Sequence, residues 1–273
     1  MCLIVFAWRA HPQYPLVVAA NRDEFFDRPS AAAQWWDDGS EWLGGRDLQA
    51  GGTWMGISRS GRFAALTNYR DPSERKLDAP SRGELVEDFL VDPSGPADYL
   101  ASLKSRAPRY NGFNLIAAQI GTGDARDAMS VMSNRDQGEP RIVLSGIHAL
   151  SNALLDTQWP KVERAGTTLQ AILAGPRCSA KILTAKLLDL LADRTIAHDS
   201  ELPNTGLTID RERALSSIFI RMPGYGTRAS TVLVVDAHGR VTFTERRCEP
   251  ESADEASRFE FAIEPCPSRV LQK

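Results

Sequence analysis

Two stretches near the N-terminus are apolar at every position, and they constrain the fold more than any other feature. Cys2 to Trp8 is continuously apolar and rich in β-formers. Pro15 to Ala20 repeats the pattern after the turn-like His11-Pro12-Gln13. A strand with one wet face alternates apolar and polar residues, whereas a strand without alternation is buried on both sides. Two such strands in succession predict a sheet covered on both faces.

The rest of the chain supplies the cover. Thr53 to Arg59 and Arg62 to Tyr69 read as a hairpin about Ser60-Gly61. Ser81-Arg82-Gly83-Glu84 has a capping-box pattern, with Leu85, Val86, Phe89 and Leu90 as the helical stripe behind it. Strands are predicted at Phe113 to Ile120, Met129 to Ser133 and Ile142 to Leu144. Helices follow near 158–173 and 179–193, separated by Gly175-Pro176. Residues 21–50 and 196–214 read as irregular. Ser216 to Arg221, Thr231 to Asp236 and Arg240 to Thr244 read as strands, and 249–273 as a loosely packed tail. Hairpins dominate and βαβ crossovers are few. This order predicts an α+β chain: a four-layer αββα sandwich of two mostly antiparallel sheets. No linker divides it, so one domain is expected over 1–273.

Composition excludes several function classes. Hydrophobic residues are 42% and charged residues 25%, ordinary for a globular chain. A net charge of −3 offers no bulk positive field to nucleic acid. No apolar run reaches the roughly 20 residues of a membrane helix. The first apolar stretch stops at Arg9 and lacks a basic lead-in, unlike a signal peptide. The four cysteines, Cys2, Cys178, Cys248 and Cys266, have no zinc-type spacing. A cytoplasmic protein without nucleic-acid partner or integral membrane segment is expected.

Chemistry concentrates at a few places. Cys2 follows Met1 directly. Removal of Met1 would expose an α-amino group on a cysteine, placing base and nucleophile on one residue. The reference amine pKa of about 7.7–8.0 lies just below the thiol at about 8.5. Asn21-Arg22-Asp23-Glu24 ends the second apolar strand. Asp23 there can hold an ammonium and Arg22 can favour a thiolate; the plainer reading is a turn with a surface ion pair. Gly44-Gly45 and Gly51-Gly52 suit close backbone approach or positive φ, without the Gly-Lys-Ser/Thr of a phosphate loop. Asn68, Asn114 and Asn152 abut apolar segments, where a buried amide can donate to an oxyanion or simply satisfy a turn. Phe25, Phe26, Trp35, Trp36 and Trp42 crowd one irregular stretch, as core filling or as an apolar ligand mouth. The four histidines share no metal-ligand spacing, and Cys266-Pro267 resembles the short Cys-Pro element of some regulatory haem sites but is a poor signal, since one such pair arises readily by chance at this Cys and Pro content.

Together these residues resemble the NRDE family, also called the transport and Golgi organisation protein 2 family. The matching elements are Met1-Cys2, Asn21 to Glu24, Arg28-Pro29, Gly44 to Asp47, Gly51 to Trp54, Thr67 to Arg70, Ser81 to Gly83 and Asn111 to Leu115. Later come Ser151-Asn152, Trp159 to Lys161, Ser217 to Phe219 and Tyr225 to Arg228, so the resemblance spans about residues 1–235. It implies the N-terminal nucleophile (Ntn) hydrolase fold and a more distant likeness to choloylglycine-hydrolase-type amidases. Carried over residue by residue, it implies Cys2, Asp23, Asn152 and Arg228 as catalytic. Asn21, Arg22, Trp35, Trp36, Trp54 and Asn68 are the implied substrate-binding set, with no metal. The amidases space their Arg and Asp further apart than the adjacent Arg22-Asp23, and strand neighbours face opposite sides.

The expected function is hydrolysis of an amide C–N bond in a small or lipid-like molecule, with Cys2 as nucleophile and no required cofactor. The alternative is a non-catalytic binder or carrier of haem or of acyl-CoA or lipid ligands in the same cleft. The family resemblance links such chains to haem trafficking and lipid metabolism. The expected partners are therefore a small-molecule amide, haem or an acyl ligand.

Overall fold

The computed structural model describes residues 3–36, 39, 41–74, 76–121, 127–248 and 256–264. Among these, two seven-stranded antiparallel sheets form the centre. The first runs β10 (Gly146–Leu150), β1 (Leu3–Trp8), β2 (Leu16–Phe25), β12 (Tyr225–Val235), β13 (Arg240–Arg247) and β14 (Ala256–Ala262), with β11 (Arg221–Met222) added to β12. The second runs in chain order: β3 (Ser30–Trp35), β4 (Trp42–Asp47), β5 (Met55–Ser58), β6 (Arg62–Asn68), β7 (Phe113–Gln119), β8 (Ala128–Ser133) and β9 (Arg141–Ile142).

Three buried clusters stack these sheets into four layers. Ile4, Phe6, Leu16, Val18 and Ala20 face Ile57, Phe63, Ala65 and Ile116 between the sheets. Leu3, Val5, Val17 and Ala19 point the other way, onto α3 (Pro160–Ala174) and α4 (Ala180–Leu191). Leu66, Leu115 and Ala117 meet α1 (Glu84–Val91) and α2 (Pro96–Ser102) on the far side. β1 and β2 are therefore apolar throughout because each serves two cores. Burying one such aliphatic side chain is worth about 1.5–3 kcal/mol. The predicted αββα order holds.

Several local readings are corrected. Residues 30–47, read as irregular, contain β3 and β4; the β3–β4 register shifts between Ala31 and Gln34, which breaks the alternation a strand search relies on. Ser216 to Arg221 is not a strand up to Arg221. Hydroxyl groups bind the local backbone there instead: Ser216 Oγ donates to Arg213 O and Ser217 Oγ to Phe219 O. The polar stretch 196–214 contains α5 (Ile209–Ala214). Gly83, without a side-chain cap, precedes α1, so the capping box does not form; Glu84 accepts the Tyr110 hydroxyl instead. In the tail, β14 pairs along β13, with Phe259 opposite Phe243.

Candidate functional site

Cys2 lies outside the described residues, as do Met1 and Cys266. It is covalently joined to Leu3, the first residue of β1, which pairs with Asn21 of β2. β10, β2 and, beyond β2, β12 thus bring their polar ends to this edge of the first sheet. Asn21 stands opposite Ser230, Arg22 opposite Ala229 and Asp23 opposite Thr227. The register shifts between Thr227 and Ala229, so Arg228 is the extra residue of a bulge.

β2 continues as a strand through Phe25, so period-2 alternation governs its polar end. Arg22 follows Val18 and Ala20 into the space between the sheets. Its guanidinium carbon lies 4.2 Å over the Trp54 ring, and its nitrogens reach Ser30 Oγ at 3.2 Å and Asp47 Oδ2 at 3.5 Å. Burial pushes the Arg22 pKa down; Glu24 and Asp47 oppose that shift, while Arg228 and Arg28 add to it. Asp47 is held below the usual carboxylate range despite burial, because Arg28 donates to it at 2.7 Å.

Asn21 and Asp23 point the opposite way. Asn21 Nδ2 donates to Leu191 O and Ile218 O, both at 2.9 Å, and Oδ1 accepts from Ser230 Oγ at 2.7 Å. Both its N–H groups are committed to scaffold carbonyls. Asp23 is buried, and its Oδ1 accepts the Thr227 hydroxyl at 2.6 Å; that hydroxyl in turn accepts Ile220 N–H at 2.9 Å. Arg228 donates to the backbone oxygens of Phe25 and Arg28 at 2.9 and 2.5 Å, clamping the turn after β2.

The second sheet contributes Asn68 of β6 and Asn114 of β7, which meet the segment that follows β10 of the first sheet. Asn152 Nδ2 donates to Asn68 O at 3.0 Å, and Arg70 N–H donates to Asn152 O at 2.7 Å. Asn68 enters through its main-chain oxygen. One N–H of Asn152 thus goes to the scaffold, and its second has no acceptor among the described residues. Asn114 Nδ2 donates to Thr67 Oγ1 and Ala153 O; its Oδ1 is buried and has no hydrogen-bond partner among the described residues. Residues 152 and 153 therefore stitch the two sheets together beside the start of β1.

Of the three predicted tryptophans, only Trp54 joins this region. Trp35 packs edge-on to Phe261 at 5.0 Å under Arg59. Trp36, the next residue, turns to the opposite side, donates to Gly44 O and lies under Arg46. Consecutive residues at the end of a strand diverge, so the two indoles form no common mouth beside Arg22.

Two features escaped the sequence reading. Arg70 and Glu212 form a buried ion pair at 2.7 Å, and Arg70 covers Trp159. The Thr67 to Arg70 and Trp159 motifs were the available signals, without a role attached. Glu245 is fully buried on the inter-sheet side of β13, accepting Ala33 N–H at 2.7 Å. Burial raises its pKa against the pull of Arg247 and Arg22. Among the described residues no group of His, Cys, Asp or Glu is placed to hold a metal ion, and no helix is long and apolar enough to cross a membrane.

Comparison with known proteins places this architecture. The fold is similar to that of a Caenorhabditis elegans N-acylethanolamine-hydrolyzing acid amidase ortholog, with a TM-score of 0.51 at 13% identity, covering 85% of this chain and 92% of that one. In sequence, the chain is 37% identical to a mouse "Transport and Golgi organization 2 homolog", over 97% of this chain and 100% of the relative. The human homolog gives the same identity and coverage. The Drosophila melanogaster protein is 28% identical over 90% of this chain and 91% of its own. A family model described as Transport and Golgi organisation 2 matches residues 1–250. The chain belongs to the Transport and Golgi organisation 2 family.

Proposed function

We propose that the protein is a cysteine Ntn amidohydrolase, acting on the C–N bond of a small or lipid-like amide. The observation that carries this reading is that Arg22 and Asp23 at the end of β2, Asn152 just after β10 and the Arg228 bulge of β12 all lie at the edge of the first sheet where β1 begins at Leu3, the residue after Cys2. In the reaction, the Cys2 sulfur attacks the amide carbon and a C–S bond forms. The α-amino group takes the thiol proton and delivers it to the leaving nitrogen as the C–N bond breaks. Water then attacks the thioester carbon, the C–S bond breaks, and the proton returns to sulfur. The products are a carboxylic acid and an amine.

The surrounding residues divide the work. Asp23, buried and anchored by Thr227, supplies the negative charge that orients an ammonium. The second N–H of Asn152 serves the oxyanion. Asn114 Oδ1 is the acceptor for a substrate N–H. Arg22 and Arg228 offer cations to a substrate carboxylate. The test is hydrolysis of a panel of N-acyl amides by wild type, Cys2→Ala and Asn152→Ala. Loss of amine release in the first variant, and a kcat lower by about a hundredfold or more in the second, support the reading. Unchanged kcat in Asn152→Ala sinks its assignment.

Arg22 and Arg228 also support a second reading, in which the cleft retains an acidic apolar ligand such as haem or an acyl derivative without cleaving it. Trp54 alone of the three tryptophans remains to grip such a ligand beside Arg22. A haemin titration with no Soret shift and no saturation removes the haem version.

A further inference from the structure

A cavity lies on the helix-covered side of the first sheet, between β12, β13 and the end of α4. Its volume is about 360 Å³, within the range of small-molecule sites. Arg194, Arg221 and Arg246 line it. They come from three separate places: the residues after α4, the short strand β11, and β13, where Arg246 stands opposite Ser230. None of the three makes an ion pair or donates a guanidinium hydrogen bond among the described residues; Arg194 only lies over Phe219 at 4.9 Å. Phe26, Phe219 and Leu188 supply its apolar lining.

Three cations around one cavity repel each other, and among the described residues no carboxylate forms an ion pair with any of them. Guanidinium forks match phosphate oxygens in geometry. A monocarboxylate brings one negative charge, whereas a phosphate monoester brings about −1.5 to −2 near neutrality. The apolar lining adds a requirement that free phosphate does not meet. We propose that this pocket binds a small amphiphile bearing a phosphate monoester, its head on the three arginines and its apolar body against Phe26, Phe219 and Leu188.

The site is distinct from the inter-sheet space that holds Arg22 and Trp54, and does not depend on Cys2 chemistry. It touches the candidate catalytic region from behind. Thr227 and Ser230 line it too, and their hydroxyls donate to Asp23 and Asn21. Occupancy therefore bears on the hydrogen bonds that position the end of β2.

Isothermal titration of the full chain with octyl phosphate tests this, with octanoate, octanol and inorganic phosphate as parallel arms. The expected result is saturable one-to-one binding of octyl phosphate that weakens as salt is raised. Arg221→Gln and Arg246→Gln should each weaken it about tenfold or more. Cys2→Ala should bind as wild type does, separating this site from the hydrolytic reading. Arg258→Gln, which removes a surface cation of β14, should also bind normally. Four results overturn the proposal: equal binding of octanoate, equal binding of inorganic phosphate, binding matched by octanol, or binding retained when all three arginines are glutamine.

Discussion

The guanidinium carbon of Arg22 stands 4.2 Å above the Trp54 ring, joining the polar end of β2 to the facing sheet. Gly45 makes room for this stack. A Cβ at Gly45 would meet the Trp54 ring at 2.4 Å. Gly45→Ala therefore has to displace Trp54 and with it the seat of Arg22. The expected cost is about 1–3 kcal/mol, as for overpacking elsewhere. Tryptophan fluorescence and urea unfolding check it; a change in neither contradicts the packing role.

Asn21 acts as a bracket between β2, the end of α4 and Ile218. Asn21→Ala leaves two carbonyls unpaired in the interior, each costing about 1–3 kcal/mol. Asn21→Asp turns an acceptor-only group toward the same two oxygens and should be at least as damaging at neutral pH. Urea midpoints within experimental error of wild type would refute this scaffold assignment.

Glu245 makes stability depend on pH with a sign opposite to a surface carboxylate. Burial raises its folded pKa above the unfolded one, so the folded state binds the proton more tightly. Its contribution is full below the unfolded pKa and declines as pH rises through the folded pKa. Glu245→Gln keeps an acceptor for Ala33 N–H and removes the charge. It should raise Tm at pH 8 by a few degrees, the shift that about 1 kcal/mol produces in a chain this large, with the gain shrinking in acid. A lower Tm for the glutamine variant at pH 8 contradicts the prediction.

His148 and Asp156 form a second pH-sensitive pair at 2.7 Å. The hydrogen bond to Asp156 is the main cause that raises the His148 pKa, against partial burial; Leu144 O adds to it. A raised imidazole pKa stabilises the fold below the unfolded pKa, and that stabilisation fades as pH rises through the folded value. Asp156 has φ +59°, which asparagine tolerates well. Asp156→Asn should therefore be less stable than wild type by up to about 1 kcal/mol at pH 5.5, the scale of a partly exposed pair, with the gap closing by pH 8. A gap independent of pH would assign the effect to something other than His148.

The fold was legible where burial leaves a pattern in the sequence. β1 and β2 declare themselves because both faces of each strand are covered. β3 and β4 do not, since a register shift and the Gly44-Gly45 pair interrupt the alternation. The site was legible in residue types and only partly in orientation. Nothing in Asn-Arg-Asp-Glu distinguishes Asn21, which holds backbone carbonyls, from Arg22, which faces the other sheet. Trp35 and Trp36 look like one aromatic patch until the strand end sends them to opposite sides. Arg70 and Glu212 are 142 positions apart, and only tertiary structure joins them.

The most direct test of the central claim is peptide mass spectrometry of the native protein after brief exposure to iodoacetamide. The terminal amine can act as a base only when Met1 is gone, because an amide nitrogen has delocalised its lone pair. A neighbouring ammonium and arginine raise the thiolate fraction of a cysteine. The account predicts an N-terminal peptide that begins at Cys2 and is carbamidomethylated faster than those carrying Cys178, Cys248 or Cys266. Met1 retained in protein that still cleaves amides, or Cys2 labelled no faster than the other three, would contradict it.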